Sequence, residues 1–538
     1  MEYRLSTRFR LDATGRLLRD DAQPSIEAAG RYFRARDYKA ATQACDAILA
    51  LRPRDFDALH LRGVLFLAAE QPAEALEHLR QAEQDRPNVA QLQFNIGNAL
   101  LALKRHQEAV DAFRRALALQ PDNPDVLNNL GNALSGDSHY EEAVVCLREA
   151  LALRPNSPQP LFNLARALLA LDQLEEAADC IDAARAAAGP DIEPSRLVDL
   201  YTCLSDVRVR QCRYKEALAI CRGVPPEIAD APAVHWNESL TLLILGDYVE
   251  GWRKYESRFQ VPDHDPPREG AAVLDLCAVP GRRVLVFHEQ GRGDMLQFAR
   301  YLPLLAARGA TVLVETYADL VPLFRTIDGV TQVVAETDPS PQHELLTPLL
   351  SLPLAFGTTL GTVPTEVPYL RVPASRLERW AAVFADQSHP RVGIAWCGSR
   401  QSARRSAMPL AMLAPLLAVP GIDFHVLQKD IAAEERTLLA THAAVVCHDA
   451  MLEDFSDTAA LIAHMDLVIS IDTAVVHLAG GLGKPVWVML PFSPDWRWLQ
   501  NREDSPWYPT ARLFRQTERG DWHGVVRRVT EGLSREMV

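Results

Sequence analysis

A glycine-containing stretch in the C-terminal half carries a carboxylate that could accept a proton. Residues 288–294 read HEQGRGD and follow an apolar run that is typical of a β-strand. Gly291 and Gly293 permit a tight turn and a close approach of the backbone to a ligand. Asp294 would stand at the start of the next helix, where a carboxylate is favourable by itself. The same carboxylate could act as a general base, so the residues alone leave a structural and a catalytic interpretation open.

A second stretch, residues 470–477 with the sequence SIDTAVVH, could bind phosphate. Asp472 or Thr473 would cap the following helix, and the free N–H groups of its first turn, which includes Ala474, form a ready pocket for an anion. His477 lies four residues after Thr473 on the same helical face, where its imidazole could reach that anion. The alternative is a core histidine bonded to a neighbouring carbonyl group.

Strands must position these stretches, because short apolar runs alternate with helical stretches from Gly281 onwards. The runs with strand character are RVLVFHE, TVLVET and VTQVVAE, then RVGIAW, FHVLQK, AVVCHD, DLVISID, KPVWVML and RLFRQ. Apolar strands separated by helices predict parallel sheets covered on both faces. We predict two α/β lobes, residues 281–374 and 375–538, with a cleft between them. Both candidate stretches follow strand ends, where open parallel sheets bind their ligands.

The N-terminal half carries a period of 34 residues. Four columns of proline or small residues recur at this spacing: Pro53, Pro87, Pro121 and Pro155; Gly63, Gly97, Gly131 and Ala165; Ala41, Ala75, Ala109, Ala143 and Ala177; and Ala82, Ala116, Ala150 and Ala184. Small residues let paired helices approach closely, and proline ends the second helix. This helix-turn-helix pattern resembles the tetratricopeptide repeat. We predict an all-α solenoid of about seven repeats over residues 22–262, with an extension (1–21) before it and a proline-rich linker (263–280) after it.

Composition and charge exclude several classes of protein. The 538 residues are 48% hydrophobic and 23% charged, as is ordinary for globular protein, and the length predicts several domains. The net charge of −14 argues against nucleic acid or an anionic membrane as the main partner. No run of 18 apolar residues and no secretory signal are found, and the nine cysteines are scattered, so we predict a cytoplasmic protein without a membrane span. The short D-x-D match at residues 263–265 precedes any strand, and we predict no metal site there.

The two candidate stretches together resemble a known enzyme family. G-x-G-D in the first lobe and D-T-x-x-x-H-L-A-x-x-L-G-K-P in the second are similar to glycosyltransferase family 9, the heptosyltransferase-like enzymes of the GT-B architecture with two Rossmann-like lobes. The likeness runs from about residue 281 to residue 538. It implies that Asp294 is the general base and that Asp472, Thr473 and His477 hold the donor diphosphate, beside Gly293 and Ala474. Many family members have glycine where Ala474 stands.

The resemblance also implies partners for the leaving diphosphate and the nucleotide. Lys429, Arg404 and Arg405 are candidate cations, and their alternative role is that of solvated surface charge. Two groups of residues at strand ends are candidates for the nucleotide and sugar pocket: Trp396 and Gln428, and Asp495 and Trp496 with the adjoining Arg497. No metal and no cofactor are implied, because side chains and helix N–H groups would stabilise the leaving group.

Asparagines recur in the first helix of four predicted repeats, two residues before the small position: Asn95, Asn129, Asn163 and Asn237. In tetratricopeptide arrays the first helix lines the concave surface, so these asparagines would form a ladder along the groove. The array of O-linked N-acetylglucosamine transferase looks similar in this respect. An asparagine ladder would clamp an extended peptide backbone, since the side chain both donates and accepts hydrogen bonds. The alternative is that asparagine is simply common at this repeat position.

These observations predict an inverting, metal-independent glycosyltransferase that moves a sugar from a nucleotide-diphosphate sugar to a protein or peptide presented by the repeats. The same chemistry on a surface glycan or lipopolysaccharide is an alternative, and a non-catalytic repeat scaffold for protein–protein interaction is another. A dinucleotide-dependent oxidoreductase is disfavoured because Leu296 replaces the third glycine of G-x-G-x-x-G. The sequence does not predict which sugar is transferred, which nucleotide base the donor carries, or the oligomeric state.

Overall fold

The structure is a computed structural model that describes residues 9–11, 17–19, 25–189, 192–261, 268–384, 389–398 and 408–537. The chain divides into two compact units, Met1–Val207 and Arg208–Val538. Of the predicted positions, Arg404, Arg405 and the D-x-D match at 263–265 lie outside the described residues. None of the helices in the described ranges combines the length and the apolar character that crossing a membrane requires.

The N-terminal unit consists mainly of helices, as the 34-residue period predicts. A short antiparallel pair of strands, β1 (Phe9–Leu11) and β2 (Leu17–Arg19), precedes them. The helices are α1 (Ile26–Arg34), α2 (Tyr38–Leu51), α3 (Phe56–Ala68), α4 (Pro72–Asp85), α5 (Ala90–Ala102), α6 (His106–Leu119), α7 (Pro124–Gly136), α8 (Tyr140–Leu153), α9 (Pro158–Ala170), α10 (Leu174–Ala187) and α11 (Pro194–Arg210), the last of which crosses the unit boundary. Side chains of Asp37, Asp55 and Asn123 cap helix N-termini.

The small-residue columns bring paired helices together. A Cβ atom placed on Gly63, Gly97 or Gly131 would lie 2.5 Å from a side-chain carbon of Leu79, Phe113 or Leu147 on the following helix. The alanine columns are fully buried; Ala41, Ala75, Ala82, Ala109, Ala116, Ala143, Ala150, Ala165, Ala177 and Ala184 are all 0% exposed. Close contact of the two helices therefore requires a minimal side chain at these positions, which is the physical reason for the period.

Replacing Gly97 with alanine is expected to lower the free energy of unfolding by about 1–3 kcal/mol, because the new methyl group overlaps the ring of Phe113 and forces the helices apart. Gly30→Ala is the matched control. Its Cβ would meet no described atom closer than 3.9 Å, so the helix propensity of alanine should raise stability by about 0.5–1 kcal/mol. Chemical denaturation of both variants measures the difference; two effects of the same sign would contradict the packing argument.

The C-terminal unit combines three further repeat-like helices with an α/β region. Its helices are α12 (Tyr214–Arg222), α13 (Pro232–Leu245), α14 (Tyr248–Tyr255), α15 (Arg292–Phe298), α16 (Tyr301–Ala307), α17 (Val321–Phe324), α18 (Leu352–Ala355), α19 (Ala374–Ala381), α20 (Ala414–Leu417), α21 (Ala433–Leu439), α22 (Phe455–Ala463), α23 (Ala474–Gly481) and α24 (Trp522–Glu536). Its strands are β3 (Arg283–Phe287), β4 (Thr311–Thr316), β5 (Val330–Ala335), β6 (Leu345–Pro348), β7 (Arg391–Ala395), β8 (Asp423–Val426), β9 (Val445–Cys447), β10 (Leu467–Ile471), β11 (Val486–Leu490) and β12 (Ala511–Arg515).

The strands form two parallel sheets, which confirms the predicted α/β character of this region. The first sheet has the order β5-β4-β3-β6 and the second has the order β12-β11-β10-β7-β8-β9. Counted in chain order, the six strands of the second sheet have the doubly wound order 3-2-1-4-5-6. The point at which this strand order changes direction lies between β7 and β10. The first sheet reverses between β3 and β6. Ligand sites form at such reversal points, and both candidate stretches follow a strand that borders one.

The last repeat-like helices belong to the same hydrophobic core as the sheets. Tyr248 and Trp252 of α14 pack against Trp496 and Trp507, with ring centroids 5.3–6.5 Å apart, and the indole N–H of Trp507 donates to the Tyr248 hydroxyl at 3.2 Å. Phe298 of α15 contacts the same cluster. The boundary between the compact units therefore lies at residue 207, inside the range of the predicted repeat array, because α14 buries its aromatic face against the α/β region.

Candidate functional site

The two candidate stretches meet at the ends of β3 and β10. Gly293 on α15 lies against α23, so that a Cβ placed on it would be 3.0 Å from Cδ2 of His477 and 3.6 Å from Cα of Ala474. The glycine is thus needed where two helices approach, rather than only where a ligand would come close. Residues that are about 180 positions apart in sequence therefore lie side by side at the ends of two strands.

Asp294 occupies the first turn of α15. Its Oδ2 accepts the backbone N–H of Gly291 at 2.9 Å, which closes the turn before the helix, and its Oδ1 accepts a hydrogen bond from Arg497. Burial raises the pKa of Asp294, and the nearby guanidinium of Arg497 opposes that rise only in part. A carboxylate with a raised pKa accepts a proton more readily than a solvated aspartate, which suits a general base. The helix-capping and proton-accepting interpretations are therefore compatible.

Arg497 is the cation that stands at the centre of this site. It lies in a 3₁₀ helix, Trp496–Trp498, that follows β11, and its side chain is only 10% exposed. Besides Asp294, its guanidinium donates to Asp495 at 2.8 Å and to Gln297 at 2.6 Å. The sequence placed Arg497 at the border of the cleft but did not predict this pairing. The sequence signal that could have indicated this pairing is the position of Arg497 between two tryptophans, because an arginine among buried residues usually has a charged partner.

Asp472 adds a further carboxylate at the end of β10. Burial, together with the neighbouring Asp495, raises the pKa of Asp472 to about 7, although Trp498 and Arg497 act in the opposite direction. Its Oδ1 lies 3.9 Å from Nε2 of His477. Near neutral pH this group therefore exchanges a proton easily, and in its protonated form it can donate a hydrogen bond to an anion.

His477 is a buried, neutral imidazole in this arrangement. Its Nδ1 is 2.9 Å from the hydroxyl of Tyr508, and its ring stacks on Trp498 with the centroids 5.9 Å apart. Burial lowers the pKa of His477 well below its ordinary value. Its partner is thus a tyrosine hydroxyl rather than a carbonyl group, and the ring carries no charge.

Thr473, rather than Asp472, caps α23. Its hydroxyl oxygen accepts the N–H of Val475 at 3.3 Å and lies 3.1 Å from the hydroxyl of Ser470. A Cβ placed on Gly398, which follows β7, would lie 3.9 Å from the methyl carbon of Thr473. The ends of β7 and β10 therefore adjoin the first turn of α23, at the point where the strand order of the second sheet changes direction.

Other predicted site residues are held by different partners. Lys429 donates from Nζ to the carbonyl of Glu453 at 2.8 Å. Gln428 accepts the backbone N–H groups of Trp396 and Cys397 at 3.3 and 3.0 Å, which fixes the end of β7. The Trp396 ring is buried, and its indole N–H donates to Glu435 at 2.7 Å, so that only its backbone is available to line a pocket.

Trp496 also lies mainly in the core. The residue is 5% exposed, and its ring contacts Trp252 and Phe298. The guanidinium carbon of Arg497 lies over this ring, 4.4 Å from the ring centroid. Asp495 caps the short helix by accepting the N–H of Arg497 at 3.0 Å. Trp496 therefore packs against the guanidinium of Arg497 and belongs to the core. Of the two predicted residues, Asp495 places its polar group in the site.

The asparagines of the N-terminal unit bind one another and their neighbours. Asn95 lies 2.8 Å from Nε2 of His60, Asn129 donates to Asn98 at 2.7 Å, and Asn163 donates to Asn128 at 2.9 Å. Each pair joins the first helices of adjacent repeats, and Asn95 and Asn163 are buried. This ladder stabilises the stacking of repeats. Asn237 lies on α13 in the other compact unit, where it is half-buried.

Replacing Asp472 with asparagine is expected to stabilise the protein at pH 8 and to leave it unchanged at pH 4. The folded state keeps the Asp472 proton up to about pH 7, whereas the unfolded chain releases it near pH 4, so stability is lost as the pH rises through this window. The asparagine side chain cannot ionise, so the variant avoids the cost of a buried charge at this position, which is on the order of 2–4 kcal/mol at pH 8. Thermal unfolding at both pH values measures it, with Asp328→Asn, an exposed carboxylate, as the control. Equal shifts at pH 4 and pH 8 would contradict the assignment.

Comparison with known families confirms the repeats. Tetratricopeptide repeat families match residues 26–88, 60–124, 112–145 and 134–201. The chain therefore contains tetratricopeptide repeats, whose general role in proteins is that of a protein-interaction scaffold. The matched residues all lie within the N-terminal compact unit.

Known relatives and structures match only parts of the chain. Protein FlbA of Caulobacter vibrioides is 28% identical over 348 residues, and the match covers 59% of this chain and 58% of FlbA. Because residues 1–261 are less than half of this chain, that match includes part of the α/β region. The pilF protein of Pseudomonas aeruginosa is 21% identical and covers 38% of this chain and 93% of its own, with a TM-score of 0.32. YrrB, a TPR protein with an unusual peptide-binding site, is 20% identical over 32% of this chain and 88% of its own, with a TM-score of 0.29.

Proposed function

We propose that the protein is an inverting, metal-independent glycosyltransferase that transfers a sugar from a nucleotide-diphosphate sugar to a protein or peptide. The observation that carries this proposal is the meeting of Gly293 and Asp294 with Asp472 and His477, since these are the motifs that resemble glycosyltransferase family 9. Two doubly wound sheets with a site at their strand ends agree with a GT-B architecture.

The proposed reaction is a single displacement. The acceptor hydroxyl oxygen forms a bond to the anomeric carbon while the bond from that carbon to the diphosphate oxygen breaks. The hydroxyl proton passes to Asp294, whose raised pKa makes it a suitable base. Because the nucleophile enters opposite the leaving group, the anomeric configuration inverts.

The leaving diphosphate needs hydrogen-bond donors, because it gains negative charge as the bond breaks. In this proposal the N–H groups of the first turn of α23 and the imidazole of His477 supply them. Arg497 already pairs with Asp294 and Asp495, so its charge serves mainly to hold those carboxylates. Lys429, Arg404 and Arg405 remain the proposed cations for the more distant phosphate.

The repeats supply the argument for a protein acceptor. A tetratricopeptide array is a protein-interaction scaffold, and in one chain with a transferase it would bring a polypeptide to the site. The ladder of Asn95, Asn129 and Asn163 is taken up in stacking, so the acceptor would be recognised mainly by other side chains of the array.

Incubation of the purified chain with a panel of nucleotide sugars and a cell extract tests the proposal. Sugar incorporation into protein, with release of the nucleotide, is the expected result. If no donor gives either sugar transfer or nucleotide release, the proposal fails. If the sugar enters only glycan or lipopolysaccharide, the chemistry stands and the protein acceptor does not.

A scaffold without catalytic activity is the second candidate, and the tetratricopeptide repeats favour it. Calorimetric titration with nucleoside diphosphates separates the two functions. A transferase is expected to bind at least one of them, whereas binding of none would favour the scaffold.

A further inference from the structure

The loop that precedes Asp294 has a backbone conformation that its sequence does not favour. Gln290, between β3 and α15, has a φ angle of +59°. This is the left-handed region, which residues other than glycine rarely adopt and which persists only where surrounding contacts enforce it. Gly291 follows directly and donates its N–H to Asp294, four residues after Gln290, so the position of the proposed base depends on this loop.

Contacts on both sides of the loop hold it in place. The side-chain amide of Gln290 donates to the hydroxyl of Tyr255 at 2.8 Å, and the backbone carbonyl of Gln290 accepts a hydrogen bond from the hydroxyl of Tyr317. Glu289 accepts two hydrogen bonds from Arg258, at 2.8 and 2.9 Å, and one from the N–H of Leu350 at 2.9 Å. Each of the two loop residues is thus fixed by two separate elements.

Tyr255 and Arg258 come from the end of the last repeat-like helix. Tyr255 is the final residue of α14, and Arg258 lies in the 3₁₀ helix Glu256–Gln260 that follows it. Both residues are 1% exposed. Arg258 also donates to Glu256 at 2.8 Å and to Ser351 at 2.9 Å, so its guanidinium has a fixed orientation before it meets Glu289.

We propose that Tyr255 and Arg258 are positioning residues of the transferase, which hold the loop of Glu289 and Gln290 so that Asp294 stands at the reacting hydroxyl. The inference rests on the proposed function. It assigns the end of the repeat-like helices a role in the chemical step, in addition to any role in binding the acceptor. Neither residue touches the substrate in this proposal; both act through the loop.

Tyr255→Phe and Arg258→Lys test the proposal in the full-length chain, with Tyr214→Phe as the matched control. Tyr214 is also a buried tyrosine of the repeat-like helices, and its hydroxyl donates to Cys212 rather than to the loop. Misplacement of the base should lower kcat about tenfold or more in Tyr255→Phe while KM changes less than about twofold, because the substrate-binding groups are untouched. Arg258→Lys, which loses the two-bond contact to Glu289, should have the larger effect. The control should keep both constants.

Hydrogen exchange supplies a readout that does not need turnover. Amide exchange in residues 288–294 should rise in both variants and not in the control, while strands β7 and β10 keep their protection. Unchanged kcat and unchanged loop exchange in both variants would overturn the proposal, and so would an equal rise of exchange in the loop and in β10. If the loop exchange rises as expected but the wild-type protein transfers no sugar, the proposed function fails while the fixing of the loop by Tyr255 and Arg258 stands.

Discussion

Asp294→Asn is expected to lower the rate of sugar transfer by about 10²–10⁴-fold, which is the usual contribution of a general base. The amide keeps the size of the side chain, and its oxygen can still accept the N–H of Gly291. It cannot take the proton of an acceptor hydroxyl. Donor binding should remain within about threefold of wild type, because the diphosphate would lie at α23. Single-turnover transfer and calorimetric titration with the donor measure the two quantities.

Asp328→Asn is the matched control for this substitution. Asp328 is an exposed carboxylate of the same lobe and pairs with Arg371 at the surface. Its replacement should leave transfer unchanged. Transfer by Asp294→Asn at the wild-type rate would remove Asp294 as the base and would leave Asp472, with its pKa near 7, as the carboxylate to examine next.

Removal of residues 1–207 is expected to leave a folded protein, whereas removal of residues 1–261 is not. The shorter deletion leaves the second compact unit complete. The longer one also removes Tyr248, Trp252 and Arg258 from the core of the α/β region. Loss of a buried aromatic side chain costs about 3–5 kcal/mol, and two such losses approach the whole stability of an average domain, about 5–15 kcal/mol.

Circular dichroism and thermal unfolding of the two truncated proteins measure this difference. A cooperative transition is expected for residues 208–538 and none for residues 262–538. Equal stability of the two fragments would show that α12–α14 are dispensable for the α/β region. For the proposed transferase, the 208–538 fragment should keep donor binding and lose transfer to protein, because the repeats that would select the acceptor are absent.

The repeats and strands could be predicted because each follows a strong local rule. The small-residue columns that contain Gly97 and Ala109 repeat every 34 residues because two helices touch at these positions. Strands β3 and β10 are apolar runs between helical stretches. Strand β6 was not predicted, since Leu345–Pro348 is only four residues long and ends in proline. The packing of α14 on the sheets was not predicted either, because repeat spacing reports how helices pair and not what covers their outer face.

The site could be predicted in part. Asp294, Asp472 and His477 follow strand ends, and the rule that such ends face one cleft brings them together. The ion pair of Arg497 with Asp294 is a contact between residues about 200 positions apart, for which no local pattern exists. For the asparagines the sequence shows the period but not the partners. Only the distances between neighbouring amides show that Asn129 and Asn163 bind other asparagines.

The aromatic cluster around Trp252, Trp496 and Trp507 also decides how unfolding of the chain can be observed. All nine tryptophans lie after residue 207, so the intrinsic fluorescence of the whole protein arises from the second compact unit, apart from a tyrosine background. Far-ultraviolet ellipticity, in contrast, is weighted towards the eleven helices α1–α11. A denaturant titration followed by both signals therefore separates the melting of the repeats from that of the α/β region in the intact chain, and any offset between the two midpoints reports how independently the units unfold.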